Sequence, residues 1–235
     1  MISMTKFILK NSSYITARDY RTADLFFRYS KKNVGLYYDP VFLTGGNSKI
    51  SDYMEGFINR LADNSKIIFV LNETFLNQLR NNSKKQEMIN VLNKLQEEYK
   101  VVLTYNTSVS NHINKLYDLC DKNNIEIFHP YDTKPEEIIY LYSIFDFAIC
   151  VPMHAAIFAY NAGTKMITIE YDDKVQEFNK IIGNKNSVNI KDLKRIPWIL
   201  EHYKEIDWGK KNIIKENASE NFIKLKEIIN VINTN

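Results

Sequence analysis

Glycine is scarce in this chain, with seven in 235 residues, beside five prolines and only two cysteines. The glycines form no G-x-G-x-x-G and no G-x-x-x-x-G-K-[ST], which excludes a dinucleotide loop and a P-loop. Gly45-Gly46 alone is no phosphate cradle. There is no G-x-S-x-G elbow and no H-E-x-x-H pair. No histidine, aspartate or glutamate group has metal-ligand spacing, so no metal is expected. Cys120 and Cys150 fall on different expected elements, with no C-x-x-C, and read as buried free thiols of a reducing compartment, the cytoplasm. The formal charge is only +3, and the lysines are interspersed with acidic residues. That argues against nucleic acid as a partner. No stretch approaches the ~20 apolar residues of a membrane span. The opening MISMTKFILKNSS is too short for a signal peptide and is interrupted by Lys6 and Lys10.

What is present is alternation. Between Phe145 and Gly183 an apolar run, Phe147 to Val151, leads to His154 at the start of a small-residue helix, Ala155 to Ala162. That helix stops at Gly163, and a second apolar run, Met166 to Ile169, ends on Glu170, Tyr171 and Asp172. Strand, helix and strand make a βαβ unit. Ligands of such units gather at the carboxyl ends of the strands, where His154 and Glu170 fall.

The same alternation runs through the chain. Strands are expected at Tyr14 to Ala17, Val34 to Tyr37, Ile67 to Leu71, Val101 to Tyr105 and Ile125 to Phe128. Helices are expected at Tyr20 to Tyr29, Asp52 to Ala62, Lys85 to Tyr99, Ser110 to Lys122, Pro135 to Ser143 and Val175 to Ile182. One or two short helices follow within Ile190 to Tyr203. A long helix, Lys211 to Ile232, carries a stripe of Ile214, Ala218, Phe222, Leu225, Ile228 and Ile232, expected to pack against protein. The fold class is therefore α/β: one Rossmann-like doubly wound parallel sheet with a helical C-terminal extension. The expected division is 1–189 for the lobe and 190–235 for the extension.

Several residues could carry chemistry. A helix start offers free N–H groups and the positive dipole end, so His154 either serves an anion site as acid or base, or caps its own helix. Arg18, after the first strand, can clamp a carboxylate or phosphate, or pair with a neighbour. His129, in His129-Pro130-Tyr131-Asp132, either lines the same cleft or is a surface residue. Glu170, with Asp172, can meet a sugar or ribose hydroxyl or remain a solvated carboxylate. Asp39-Pro40 reads as a structural turn, and His112 and His202 as surface or interface residues.

Three blocks in order resemble the polysaccharide pyruvyl transferases. They are SYITARDYRTADLF with LYYDPVFL, then IFHPYDTKPEEIIYLYSIFDFAI, then MHAAIFAYNAGTKMITIEYDDKVQEF. The resemblance spans Ser13 to Gly183 and, weakly, the last helix. It implies the second of two Rossmann-like lobes in the GT-B manner, with the chain starting where the first lobe ends. It implies transfer of a pyruvyl group from phosphoenolpyruvate to a sugar of a surface glycan or its lipid-linked precursor. Arg18 would then hold the donor's anionic end, His154 would be catalytic, and His129 and Glu170 would shape the cleft. A separate first-lobe protein or a second copy would complete the enzyme. One position departs from the family: Pro152 stands two residues before His154, where the family has a donor-binding arginine. Two other readings remain, a non-catalytic glycan- or partner-binding relative and a nucleotide-sugar glycosyltransferase lobe of the GT-B class.

Overall fold

Each apolar run of the sequence becomes a strand, and the segments between them become helices. The computed structural model describes residues 2–46, 49–61, 64–79, 81–105, 113–130 and 133–233. Expectations placed on His112, Tyr131 and Asp132 lie outside those residues. The chain opens with α1 (Ile2–Asn11), β1 (Thr16–Ala17), α2 (Tyr20–Ser30) and β2 (Gly35–Leu36), then a 3-10 turn at Pro40–Leu43. Helix α2 begins where the Asp19 carboxylate accepts the Thr22 N–H at 2.7 Å. Next come α3 (Asp52–Arg60), β3 (Lys66–Leu71), α4 (Glu73–Gln78), α5 (Asn82–Gln96) and β4 (Lys100–Tyr105). They are followed by α6 (Ile113–Asn123), β5 (Glu126–Ile127), α7 (Pro135–Ser143), β6 (Phe147–Cys150), α8 (Met153–Ala162) and β7 (Lys165–Glu170). Pro135 stands at the first position of α7, with Glu136 and Glu137 in its first turn. The chain closes with α9 (Asp173–Ile182), β8 (Ser187–Asn189), α10 (Ile196–Glu201) and α11 (Lys211–Asn233). Helices α8 and α9 stop at Gly163 and Gly183, whose φ of 81° and 70° suits glycine.

The chain divides into two compact units, Thr44–Trp208 and Met1–Leu43 with Gly209–Asn235. The division differs from the expected 1–189 and 190–235 because the last helix joins the opening segment Met1–Leu43, a pairing invisible to local pattern.

The large unit, Thr44–Trp208, holds a parallel sheet in the order β5-β4-β3-β6-β7-β8. In chain order that is 3-2-1-4-5-6, the doubly wound arrangement. Ile67 to Leu71 of β3 and Ala148 to Cys150 of β6 are fully or almost fully buried, as strands covered on both faces must be. Phe69, Phe75, Met88, Leu92 and Leu103 lie in the core on one side. Cys120 and Cys150 are buried and free, and burial pushes the Cys120 thiol up to about 12.

The small unit has one parallel strand pair, β1 with β2. The first half of α11 is anchored within it. Asn217 Oδ1 accepts the Tyr38 N–H at 2.8 Å, and Tyr14 Oη donates to Asn221 Oδ1 at 3.3 Å. Ile214 and Ala218 are buried there. The expected stripe does not continue: Phe222 and Leu225 are 50% and 43% exposed, because no described element of this unit covers the later turns of α11.

Candidate functional site

All six strands of the large unit run the same way, so their carboxyl ends share one edge. The order reverses between β3 and β6, where one neighbouring chain segment winds away to β4 and β5 and the other to β7 and β8. Such a switch point leaves a crevice between diverging connections. Helix α8 starts there, directly off β6, and His154 is its second residue, exposed to solvent. Glu170 ends β7, one strand over, a lateral step of roughly 5 Å. His129 follows β5 at the far side of the same edge. Three of the four sequence-selected residues are thus at one edge.

The fourth, Arg18, belongs to the small unit, after β1, where Nη1 donates to Asp39 Oδ2 at 2.7 Å. Asp39 is buried, and its other oxygen accepts the Val41 N–H at 3.1 Å, so Asp39-Pro40 is the structural turn that the sequence suggests.

The helices leaving β3, β6 and β7 differ at their first residue. Asn72 caps α4 by accepting the Phe75 N–H at 2.8 Å, and Asp172 caps α9 by accepting the N–H groups of Lys174 and Val175. Pro152 caps α8 with no side-chain acceptor at all. The first turn of α8 therefore keeps its positive end without a capping oxygen from its N-cap side chain, next to an exposed imidazole. Such an arrangement accommodates an anion and offers it a proton donor. Pro152 itself contributes neither charge nor N–H.

Glu170 is half-buried and held from behind. Asn179 Nδ2 donates to Glu170 Oε1 at 3.1 Å. Asn179 Oδ1 in turn accepts from Thr168 Oγ1 at 3.0 Å and from Asn184 Nδ2 at 3.0 Å. Asn186 extends the network, donating to the Lys204 carbonyl at 2.7 Å and accepting the Lys204 N–H at 2.9 Å. These residues carry no signal in the sequence. Asn is abundant in the chain, and only a fold shows that these asparagines are buried.

His129 is enclosed by aromatic rings. Its Nδ1 lies 3.2 Å from Tyr105 Oη. Tyr53 Oη donates to the His129 carbonyl at 3.0 Å and accepts the His129 N–H at 3.3 Å. The Tyr117 ring stands 5.9 Å away. Burial lowers the His129 pKa, so the ring stays neutral to lower pH than a free histidine. His202 stacks on Trp198 at 4.5 Å on the surface. Among the described residues no group of three or more His, Cys, Asp or Glu could hold a metal ion. No described helix is long and apolar enough to cross a membrane.

With this geometry in view, three solved structures are similar. One is UDP-GlcNAc 2-epimerase of Methanocaldococcus jannaschii: TM-score 0.62, 12% identity, covering 95% of this chain and 62% of that one. A second is a glycosyltransferase of Rickettsia africae: TM-score 0.59, 15% identity, covering 97% and 67%. A third belongs to a Glycosylation Associate Protein complex of Streptococcus agalactiae: TM-score 0.58, 14% identity, covering 98% and 48%. At such identity the likeness establishes the fold, that of GT-B lobes, and this chain spans about half to two thirds of those chains. No curated protein matches the sequence. The family model described as polysaccharide pyruvyl transferase matches residues 2–173, most of the chain and all of β1 to β7. The chain belongs to the polysaccharide pyruvyl transferase family.

Proposed function

We propose that the protein works in glycan modification in the cytoplasm, as a pyruvyl transferase-type lobe acting on phosphoenolpyruvate and a sugar of a surface glycan or its lipid-linked precursor. The observation that carries this is the coincidence of the family match with an exposed histidine at the sheet's switch point, on a helix start that lacks a side-chain cap. In the reaction two sugar hydroxyl oxygens bond to carbon two of the pyruvyl unit. The bond from that carbon to the phosphate oxygen breaks. One hydroxyl proton ends on carbon three, making the methyl group, and the other leaves with phosphate. The α8 N-terminus would hold an anionic group of the donor. His154 would move a proton or stabilise developing negative charge. Glu170, oriented by Asn179, and His129 would contact the acceptor. No metal or resident cofactor enters this scheme.

Pro152 and the engagement of Arg18 with Asp39 favour a second reading, a non-catalytic glycan- or partner-binding relative. Loss of one charge-assisted contact costs about 1.5–3 kcal/mol, so weak donor binding and little turnover by the chain alone are expected. The test is phosphate release and ketal formation from phosphoenolpyruvate and glycan acceptors. Pro152→Arg should tighten phosphoenolpyruvate binding about tenfold per 1.4 kcal/mol recovered, and His154→Ala should abolish what turnover there is. If phosphoenolpyruvate binding stays undetectable in Pro152→Arg, and His154→Ala changes nothing, the non-catalytic reading replaces the first. The M. jannaschii neighbour was solved with UDP-GlcNAc and UDP. UDP is therefore the control ligand, and saturable UDP binding lost in Glu170→Ala would favour a nucleotide-sugar transferase instead.

A further inference from the structure

Two of the three exposed large hydrophobic side chains described in the large unit, Tyr53 and Tyr117, stand around one residue, His129. They arrive from different elements. Tyr53 is on α3, and its Oη is fixed against the His129 backbone, 3.0 Å from the carbonyl and 3.3 Å from the N–H. Tyr117 is on α6, with its ring centre 5.9 Å from that of the imidazole. Tyr105, buried at the end of β4, supports the same ring: its Oη is 3.2 Å from Nδ1, and the two ring centres are 6.0 Å apart. The chemistry here differs from that at the start of α8. Phenol rings present an electron-rich face to the weakly positive C–H groups of a sugar ring. With Tyr105 Oη donating to Nδ1, the proton of the neutral imidazole is on Nε2, which makes that nitrogen a donor to a hydroxyl. Three phenols and a neutral imidazole suit an uncharged ligand better than an anionic donor.

Position in the sheet decides which part of a ligand can reach this cluster. Ile127 of β5 pairs with Leu103, Leu103 with Phe69, and Phe69 with Ile149 of β6. His129 and Val151, each two residues further on, are therefore level along the strands. Three strand spacings separate them in the order β5-β4-β3-β6, which is roughly 14 Å. Helix α8, with His154, starts on the β6 side of that gap. One pyranose ring cannot touch both sides, whereas a short oligosaccharide can.

We propose that Tyr53, Tyr117 and His129 form a distal glycan subsite. It holds an uncharged sugar ring of the same oligosaccharide whose reacting ring lies at His154, so the acceptor is an oligosaccharide and not a single sugar. The inference rests on the proposed acceptor role of this sheet edge. It goes beyond that role in assigning the acceptor's length and the residues that sense it. A nucleobase could use the same tyrosine faces, but the family match spans all four residues of the cluster and is to an enzyme family of polysaccharides, which favours the sugar.

The test uses the full chain and the surface glycan of the source cells, cut by mild acid and separated into single sugars, trisaccharides and longer fragments. Binding is measured by calorimetry without phosphoenolpyruvate. Trisaccharides and longer fragments should bind at least about tenfold more tightly than single sugars. Tyr117→Ala should reduce the trisaccharide to the affinity of a single sugar, and Tyr117→Phe, which keeps the ring, should restore the gain. Tyr117 is exposed, so both variants should melt like the parent. The ring protons of His129 should shift in NMR spectra when the trisaccharide is added. The proposal is overturned if no fragment binds, if single sugars bind as tightly as longer fragments, or if Tyr117→Ala keeps the gain. It is equally overturned if Tyr117→Ala weakens binding of UDP and not of the glycan, which would make the rings a nucleobase site. A length gain with no ketal formed from phosphoenolpyruvate defeats the transfer reading and leaves the subsite standing. Ketal formation on single sugars and longer fragments alike does the reverse.

Discussion

The two units are built from the same βα material and differ in how completely they close. In the large unit six parallel strands are flanked by helices, and only Tyr53, Tyr117 and Trp198 remain as exposed large hydrophobics among the described residues. In the small unit two strands and three helices bury Leu9, Ile15, Tyr37, Phe42 and Ile214 but leave more than twice as many large apolar side chains in water. Strand number makes the difference. A helix stripe is buried only if a sheet wide enough to lie beneath it is present, and two strands span about 5 Å between their axes, half the width of one helix.

The largest expected effect sharpens that contrast by truncating one phenylalanine in each unit. Phe69→Ala in β3 removes a fully buried ring and should cost about 3–5 kcal/mol in urea denaturation. Phe222→Ala in α11 removes a ring already half in water and should change stability by no more than about 0.5 kcal/mol. A cost at Phe222 comparable with that at Phe69 would mean the later turns of α11 are covered after all.

Legibility in the sequence follows the same division. The strands of the large unit are readable because a strand covered on both faces is an unbroken apolar run, as in IIFVL, VVLTY and MITI. Helix α8 and its glycine stop are readable for similar local reasons. Strand β8 is not, since Ser187–Asn189 has a single apolar residue and is placed by pairing with β7. Helix α4 escapes the pattern because its few residues are set by the Asn72 cap rather than by any periodicity. Helix α1 reads locally only as a rejected targeting segment. The domain boundary and the exposure of Phe222 are out of reach, since both depend on segments at opposite ends of the chain. At the site, strand-end positions locate His129, His154 and Glu170. Nothing local distinguishes Arg18, whose strand belongs to a different sheet, or the buried asparagines behind Glu170.

The second effect compares two asparagines that each tie distant segments together. Asn179 is buried in the large unit and bonded to Thr168, Asn184 and Glu170. Asn179→Leu strands several of those groups and should cost about 1–3 kcal/mol. Asn217 of the small unit is half-buried, accepts from Tyr38 N–H and donates weakly to the Leu36 carbonyl at 3.4 Å. Asn217→Ala should cost about 0.5–1.5 kcal/mol, because water can replace the lost partner. Equal costs would contradict the difference in closure.

The third concerns acid. Glu137 accepts the Ser51 N–H at 2.7 Å and the Lys134 N–H at 3.0 Å, and these backbone bonds hold its carboxyl below the usual glutamate range. A depressed carboxyl contributes stability that is present above its unfolded pKa and is lost as pH falls through its folded pKa. The large unit should therefore lose part of its stability below about pH 4.3, and Glu137→Gln should flatten that loss. The observable is the urea midpoint followed from pH 6 down to pH 3, and an unchanged acid slope in Glu137→Gln would remove Glu137 as the cause.

The smallest effect separates the units most cleanly, because the sequence has no histidine in 1–43 or 209–235, the segments of the small unit. His129 has its pKa lowered from 6.5 by burial. In the window between its folded value and 6.5 the unfolded chain binds more protons than the folded one, so stability rises with pH. The contribution is complete above that window and lost below it. Tyr105 Oη can donate to Nδ1 only while that nitrogen is unprotonated, so the same contact favours the neutral ring. Tyr105→Phe removes that preference and should move the His129 pKa back up toward the ordinary value, read from the ring proton shift in an NMR titration. His129→Phe should abolish its share of the slope in the large unit. Amide exchange in the small unit, resolved residue by residue over the same pH range and corrected for intrinsic rates, should show no histidine step in either variant. A step there that vanishes with His129→Phe would show that the two units unfold as one and break the contrast between them.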